Sequence, residues 1–473
     1  MDRSPLRLSD LPDLDHLLAR VLPQLRDWLP ARRWYSEKGA GAPEVTLQAA
    51  AVLEVERDHL VADLVVEART TRGATTYQVP VVLRRGEFAA QGLPEGAVLG
   101  TVAVGSQPVV VIDAPSDPDG RGALLRLLRD GHVIEGDGLE IAAQVTRPHR
   151  AAGRVLGSRL LSGEQSNTSM IFDLDDAQPV ILKLFRVLHN GENPDVVVQT
   201  ALDEVGSRRV PPMIGSVMLR WRESEGEPPR RSTTHALVAQ GFLPGVEDAW
   251  RVALQDAAAG IDFREPAREL GVALAEVHRD LASALGAVEA DEGQRTVAVQ
   301  RMRERLDATA AEVPEVARLR EPIAQVLERA GHVAWPAVQR VHGDFHLGQV
   351  LRVPQRGWVL LDFEGEPLRP LAQRNLPDAP LRDVAGLLRS LDYVAGAVQH
   401  ESGADASAWA AAAREAFLDG YLSTLPPADP EATRTLIAVF EADKAVYEAL
   451  YEARNRPYWL PIPLGGLQRV LGL

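Results

Sequence analysis

The chain has 473 residues, 45% apolar and 25% charged, with a formal net charge of −15 and no cysteine. That length exceeds one ordinary core and implies two or three domains. The negative charge, uncompensated by any basic run, excludes nucleic acid and anionic membrane as partners, and the lack of cysteine excludes disulfides, thiolate metal sites and cysteine nucleophiles.

The opening, MDRSPLRLSDLPDLDHLL, has no apolar signal-peptide core, and no run approaches the roughly 18 apolar residues of a membrane helix. The expectation is a cytoplasmic protein acting on small molecules. Leu14, Leu17, Leu18, Val21, Leu22 and Leu25 recur at helical spacing and predict a helix over 11–29, with Pro23 as a possible kink or split. The turn RRWYSEKG at 32–39 reads either as an anion-binding turn or as an amphipathic loop that packs its Trp. Runs rich in Val, Leu and Thr at 50–55, 60–66, 75–83 and 109–112 then predict antiparallel strands. A short helix over 123–130 and a strand over 138–145 follow.

The stretch LSGEQSNTS at 161–169 precedes two predicted strands, 170–174 and 180–185, the second of which carries Lys183. A hairpin with a small, polar loop lets backbone N–H groups approach phosphate oxygens, and a lysine beside it adds a point charge. Protein kinases build their glycine-rich loop and strand lysine this way, although here Gly163 stands alone where they carry three glycines. Gly163, Gln165, Ser166, Asn167, Thr168 and Lys183 are therefore candidate nucleotide contacts. On its own, a lysine in an apolar strand is a snorkelling edge residue.

Kinases orient that lysine with an acid on a helix. Asn193-Pro194-Asp195 predicts a helix start, and Glu204 and Glu192 are the candidate partners. HALVAQ at 235–240 predicts a strand entering a hinge at 241–245, where Gln240 and Phe242 are candidate adenine contacts. Beyond it a helix over 265–285 has His278 beside its apolar face, read as a satisfied core histidine, and a charged helical pair over 297–330 is broken at Pro314 and Pro322.

The densest chemistry lies in VHGDFHLGQVLRVPQRGWVLLDFEGE, 341–366. In kinases the catalytic loop H-R-D-x-x-x-x-N supplies an Asp that orients the attacking hydroxyl and an Asn that holds magnesium. Here Asp344 is followed five positions later by Gln349, and an apolar strand leads to Asp362-Phe363-Glu364 in place of D-F-G. Asp344 is the candidate catalytic base. Asp362, Gln349 and Glu364 offer the hard oxygen donors that magnesium requires. Downstream, Asp383 sits in the first turn of a helix, as a cap or as a brace beneath this loop. On a long helix over 431–454, Glu441, Lys444, Glu448, Tyr451 and Glu452 recur at three- and four-residue steps. Such a face suits a sugar or, equally, a solvated stripe of ion pairs. His346 and Arg454 join Glu441, Lys444, Glu448 and Tyr451 as candidate acceptor contacts.

EQSNTS at 164–169, NPD at 193–195, VHGDFHLGQVL at 341–351, DFEGEP at 362–367, PLRDVAGLLRSLDY at 380–393 and YEARNRPYWLPIP at 451–463, with RWYSEKG near the start, together resemble the actinobacterial maltokinases. These are relatives of aminoglycoside phosphotransferases with a eukaryotic-like kinase fold. The resemblance implies an α+β, bilobal kinase with an N-terminal cap over 1–95, an N-lobe with phosphate loop and Lys183 over 96–240, and a mostly helical C-lobe over 241–473. It also implies ATP and Mg2+ as cofactors, maltose as acceptor, maltose 1-phosphate as a step between trehalose and α-glucan, and association with trehalose synthase. One rival is a kinase of the same fold acting on an amino sugar such as glucosamine, for which a negatively lined pocket around Glu441, Glu448 and Glu452 would be fitted. WLPIP at 459–463 reads as the maltose side. Another rival is a nucleotide-binding pseudokinase, against which the intact Asp344, Gln349, Asp362 and Lys183 stand.

Overall fold

The computed structural model describes residues 14–85, 89–104, 107–161, 166–175, 177–223, 231–366 and 369–473. The chain divides into two compact units, Met1–Val196 with Pro212–Pro244, and Val197–Pro211 with Gly245–Leu473.

Among the described residues the first unit holds two seven-stranded sheets, whose named strands pair antiparallel. One is built from β1 (Glu44–Val55), β2 (His59–Thr70), β3 (Gly73–Gln78), β4 (Val81–Arg85), β5 (Val98–Val104) and β6 (Gln107–Asp113). The predicted strand over 75–83 is two strands, because Pro80 has no N–H to give a ladder. β2 pairs with β3 along 65–70 and with β4 along 59–62 on either side of that break. β5 was not expected from the sequence. A helix, α1 (Leu14–Trp28), contains Pro23 rather than ending at it, and Val21, Leu25 and Trp28 are buried in the same core as Trp34, Tyr35 and Tyr77. The 32–39 turn thus packs its rings: Tyr35 stacks on Tyr77 at 5.6 Å, and Ser36 Oγ lies 2.7 Å from the Tyr77 hydroxyl.

After α2 (Pro118–Asp130), capped by Asp117, the second sheet is assembled from β7 (Val133–Glu135), β8 (Leu139–Val145), β9 (Val155–Leu160), β10 (Asn167–Leu174) and β11 (Val180–Phe185). The chain then passes through β12 (Val187–Leu188), which pairs with β3 of the first sheet, and α3 (Pro194–Glu204) before β13 (Met213–Arg222) and β14 (Arg231–Gly241) complete the second.

The second unit is mainly helical: α4 (Ala249–Ala259), α5 (Arg264–Leu285), α6 (Glu292–Glu312), α7 (Pro314–Arg318), α8 (Arg320–Glu328), α9 (Leu371–Arg374), α10 (Leu381–Ser402), α11 (Ser407–Thr424), α12 (Pro430–Asn455) and α13 (Pro461–Leu471). Pro314 starts α7 where a proline is tolerated, and α7 ends at Arg318, four residues before Pro322, whose ring would clash with that carbonyl, so the helical course breaks near both prolines. One hydrophobic core joins α5, α10, α11 and α12 through Leu274, Leu387, Phe417 and Phe440, each nearly inaccessible to solvent. Among the described residues no helix is long and apolar enough to cross a membrane.

Candidate active site

In the second unit the stretch 341–366 forms two turns joined by a short hairpin, Val350–Val353 with Gly357–Leu360. The register Val350 opposite Leu360 continues into Leu361, whose N–H donates to Gln349 O at 2.9 Å. Gln349 and Asp362 therefore emerge side by side, and Gln349 Nε2 donates to Asp362 Oδ2 at 3.1 Å. Carboxylate oxygens of Asp362 and Glu364 lie within 4.8 Å of one another. Two carboxylates and an amide, which presents its oxygen after a half turn, form a donor set suited to a hard divalent cation.

Asp362 has φ +63, left-handed backbone that a residue with a Cβ adopts at a cost of about 1–2 kcal/mol. Its neighbours hold it there. His342, buried, donates from Nε2 to Leu361 O at 2.7 Å and packs its ring 4.7 Å from Phe363 and 5.2 Å from Phe345. Gly343 has φ +83, and a Cβ there would stand 3.0 Å from the Cα of Gly365, so the two turns meet through their glycines.

Helix α10 fixes the loop from beneath. Asp383 accepts from the backbone N–H of His342 at 2.8 Å and of Gly343 at 2.9 Å, and from His278 Nε2 at 3.0 Å. His278, fully buried, completes its bonding with the Tyr421 hydroxyl at 2.9 Å. Asp383 is a brace and His278 a core histidine. One turn on, Gly386 admits the carbonyl of Phe345, 2.5 Å from where a Cβ would be, and Ser390 Oγ accepts from Leu347 N–H at 3.1 Å.

Asp344 pairs with Lys444 of α12, Nζ to Oδ1 at 2.9 Å; Lys444 also lies 3.6 Å from Glu366. Burial works to raise the Asp344 carboxyl, but Lys444 and His346 hold it below the usual carboxylate range. Burial acts on Glu366 in the same direction, and Lys444, Arg369, Arg305 and Arg382 together hold it down to about 2. Lys444 itself is held above its ordinary value, the two carboxylates outweighing its desolvation. Burial lowers His346, whose Nδ1 accepts from Gly348 N–H at 3.1 Å.

A cavity of about 490 Å³ opens beside this group. Asp344, His346 and Lys444 line it, with the carboxylates Glu401, Glu448 and Glu452 and the rings of Tyr393, Tyr447, Tyr451 and Trp459. Glu448 receives Arg389 at 2.9 Å, and Glu452 receives the Tyr393 hydroxyl at 3.0 Å and Arg456 at 2.6 Å. Of the six acceptor candidates, His346, Lys444, Glu448 and Tyr451 meet here. Glu441 and Arg454 do not line this cavity: Glu441 is buried against Arg414 at 2.7 Å, and Arg454 pairs with Glu312 of α6. Trp459 opens the WLPIP segment read as the acceptor side, whereas Glu366 and Tyr393 were overlooked as site residues. Tyr393 was detectable, since Asp383, Gly386, Ser390 and Tyr393 repeat at three- and four-residue steps along one face of α10.

In the first unit Lys183, opposite Ser169 in the β10–β11 ladder, has its Nζ 3.5 Å from Asp195 Oδ2. The acid that meets it is thus Asp195, in the first turn of α3, rather than the proposed Glu204 or Glu192. Asn193 caps that turn, accepting from Asp195 N–H at 2.9 Å. Asn167 faces Phe185 across the same ladder, and Thr168 Oγ1 accepts from Arg186. Ser166 lies at the bend before them, and Gly163 and Gln165 lie outside the described residues. At the expected hinge, Gln240 pairs with Ile181 in the β14–β11 ladder, while Phe242 N–H donates to Pro179 O at 2.6 Å and its carbonyl accepts from Gln178.

Residues 28–117 match the family model of the maltokinase N-terminal cap domain. A glucosamine kinase of Streptacidiphilus jiangxiensis is 32% identical over 344 residues, 68% of this chain and 75% of the relative. A glucosamine kinase of Mycolicibacterium smegmatis is 28% identical over 334 residues, 67% and 80% of the two chains. A solved glucosamine kinase in complex with glucosamine, ADP and inorganic phosphate superposes with a TM-score of 0.66 at 24% identity, covering 95% of this chain and 100% of the other. Family and fold make the chain an ATP-dependent phosphotransferase with the α+β fold of the solved glucosamine kinase, an N-terminal cap and a helical C-terminal part. It belongs to the same family as the two glucosamine kinases. The maltokinase resemblance holds for the cap and the kinase fold, whereas the relatives' names carry a different acceptor.

Proposed function

We propose that the protein transfers the γ-phosphoryl group of ATP to a hydroxyl of an amino sugar of the glucosamine type. The observation that carries this reading is the composition of the cavity beside Asp344. It is walled by Glu401, Glu448 and Glu452 together with Tyr and Trp rings. A pyranose packs on aromatic faces, and an ammonium group is bound by carboxylates. The family relatives named glucosamine kinase support the same acceptor.

In the reaction a bond forms between the acceptor oxygen and the γ-phosphorus, the bond from that phosphorus to the β,γ-bridging oxygen breaks, and ADP departs. Asp344, kept ionised by Lys444, accepts the acceptor's hydrogen bond and takes its proton as the new bond forms. Because the transition state is loose, orientation contributes more than base strength, and a carboxyl of low pKa is suited to the task. Asp362, Gln349 and Glu364 would hold Mg2+, whose charge offsets that of the phosphate oxygens. Lys183, steadied by Asp195, meets the phosphates together with residues 166–168.

A second reading, phosphorylation of maltose at its anomeric hydroxyl with trehalose synthase as partner, is favoured by the match of 28–117 to the maltokinase cap. Coupled-assay turnover with ATP and Mg2+ on glucosamine, glucose, maltose and trehalose separates the two. We expect preference for glucosamine, with Asp344→Asn lowering kcat by roughly 10²–10⁴-fold. Preference for maltose would replace the first reading by the second, and turnover of none of the four would remove both.

A further inference from the structure

Arg389 of α10 is almost completely buried between two carboxylates. Its Nε donates to Glu448 Oε2 at 2.9 Å, Nη2 lies at the same distance from that oxygen, and Nη1 donates to Asp392 Oδ2 at 2.5 Å. The same Asp392 oxygen also meets Arg414 of α11, at 3.3 Å, and Arg469 of α13. Arg414 reaches on to Glu441 of α12 at 2.7 Å. Three guanidiniums and three carboxylates, equal in formal charge, thus tie α10, α11, α12 and α13 together. Of these six groups only Glu448 lines the cavity beside Asp344.

Helix α13 lies directly on the guanidinium. A Cβ at Gly466 would stand 2.0 Å from Arg389 Nη1 and 2.6 Å from its Cζ. An arginine tip in open solvent could swing aside from such a methyl group. This one is committed to Asp392 and Glu448 and has nowhere to go.

A guanidinium cannot shed its charge, so its burial is tolerated only while its donors stay occupied. Its planar fork fixes their directions: with Nη1 held by Asp392 and covered by Gly466, the Nε side is aimed at Glu448. Both donors on that side meet Oε2. No donor among the described residues hydrogen-bonds Glu448 Oε1, which leaves that oxygen for the acceptor. Burial works to protonate Glu448, and Arg389 is the first of the charges that oppose it.

We propose that Arg389 is a positioning residue for the acceptor: placed by Asp392 and by α13 at Gly466, it turns Glu448 Oε1 toward the ammonium of an amino sugar. It thereby sets the preference for an amine over a neutral sugar, although neither Arg389 nor Gly466 lines the cavity. This inference rests on the reading of the cavity's carboxylates as the ammonium site.

The test is Arg389→Lys in the full chain, a change that keeps the charge but cannot span both carboxylates, with thermal melts to establish that the variant folds. KM and kcat are measured for glucosamine and ATP, and glucose is measured both as substrate and as competing ligand. The expected result is a roughly 5- to 20-fold rise in KM for glucosamine, with kcat, KM for ATP and the glucose constants within about twofold of wild type. Gly466→Ala changes no charge and lies outside the cavity. It is expected to weaken glucosamine in the same selective way, and it serves alone if Arg389→Lys does not fold. The double variant should weaken glucosamine no more than the stronger single change, because both act through one ion pair. Unchanged KM for glucosamine in either folded variant would overturn the proposal. So would an equal rise for glucose, the sign of a generally loosened cavity. Wild-type protein that does not prefer glucosamine to glucose, or a preference that survives Glu448→Gln, would instead sink the ammonium-site reading on which the proposal stands.

Discussion

Lys444 is the residue on which the charge balance of the candidate site turns. It lies 2.9 Å from Asp344 and 3.6 Å from Glu366, and both carboxylates are held below their ordinary range largely by it. A carboxyl with a depressed folded pKa contributes stability above its unfolded value, and that stability is lost as pH falls through the folded one. Lys444→Met should therefore move the acid limb of the kcat/KM profile for the acceptor to higher pH and lower kcat by roughly 10- to 100-fold. A pH profile of unchanged shape would show that Lys444 does not govern the ionisation of Asp344. Asp63 presents the opposite sign. Burial pushes it up to about 7, against the pull of Gln78 and Arg186. A carboxyl raised in the folded state stabilises it below the unfolded value near 4 and loses that contribution as pH climbs toward 7, about 4 kcal/mol in all. Asp63→Asn should flatten the fall in thermal stability between those limits, measured by calorimetry at several pH values. A slope equal to that of wild type would place the titration elsewhere.

At the scale of elements, α10 fixes the catalytic loop by close approach as much as by hydrogen bonds. The carbonyl of Phe345 occupies the space of a Cβ at Gly386, so Gly386→Ala should shift the loop, cost about 1–3 kcal/mol of stability and lower kcat well beyond what that loss explains. Full activity at a temperature where the variant is folded would refute this. The same elements show which parts of the site were legible in the sequence. The HGD and DFE motifs could be paired from their spacing because a four-residue strand on each side of one turn brings Gln349 to Asp362, a local outcome. Lys444 was picked out from helical periodicity, yet its ion pair with Asp344 spans 100 residues, and no periodicity encodes that. Asp195 lies in the helix start that Asn193-Pro194-Asp195 predicts, but which of the nearby acids reaches Lys183 is decided by tertiary placement, which local sequence does not encode. Glu441 has the spacing of a site residue and is instead taken up by Arg414, because its side chain lies one turn before the cavity's own stripe of Lys444, Glu448 and Glu452.

Across the whole molecule the net charge of −15 bears on the choice of acceptor. A protein so acidic attracts a cationic sugar and is indifferent to a neutral one. Glu401, Glu448 and Glu452 around the cavity add a short-range component of the same sign, only partly neutralised by Lys444 and the arginines beside them. Salt shortens the Debye length from about 20 Å near 20 mM to about 6 Å near 300 mM, which removes the long-range component and leaves most of the short-range one. If the acceptor is an amino sugar, its KM should rise several-fold over that range of salt, whereas KM for glucose, carrying no charge, should stay within about twofold. The amine's own titration gives an independent check. Above the pH at which it loses its proton the amino sugar becomes neutral, and its KM should climb to a plateau that no longer responds to salt. A KM for glucosamine as insensitive to salt as that of glucose would mean that the carboxylates of this cavity bind hydroxyls rather than an ammonium group, and it would turn the acceptor reading back toward a neutral sugar such as maltose.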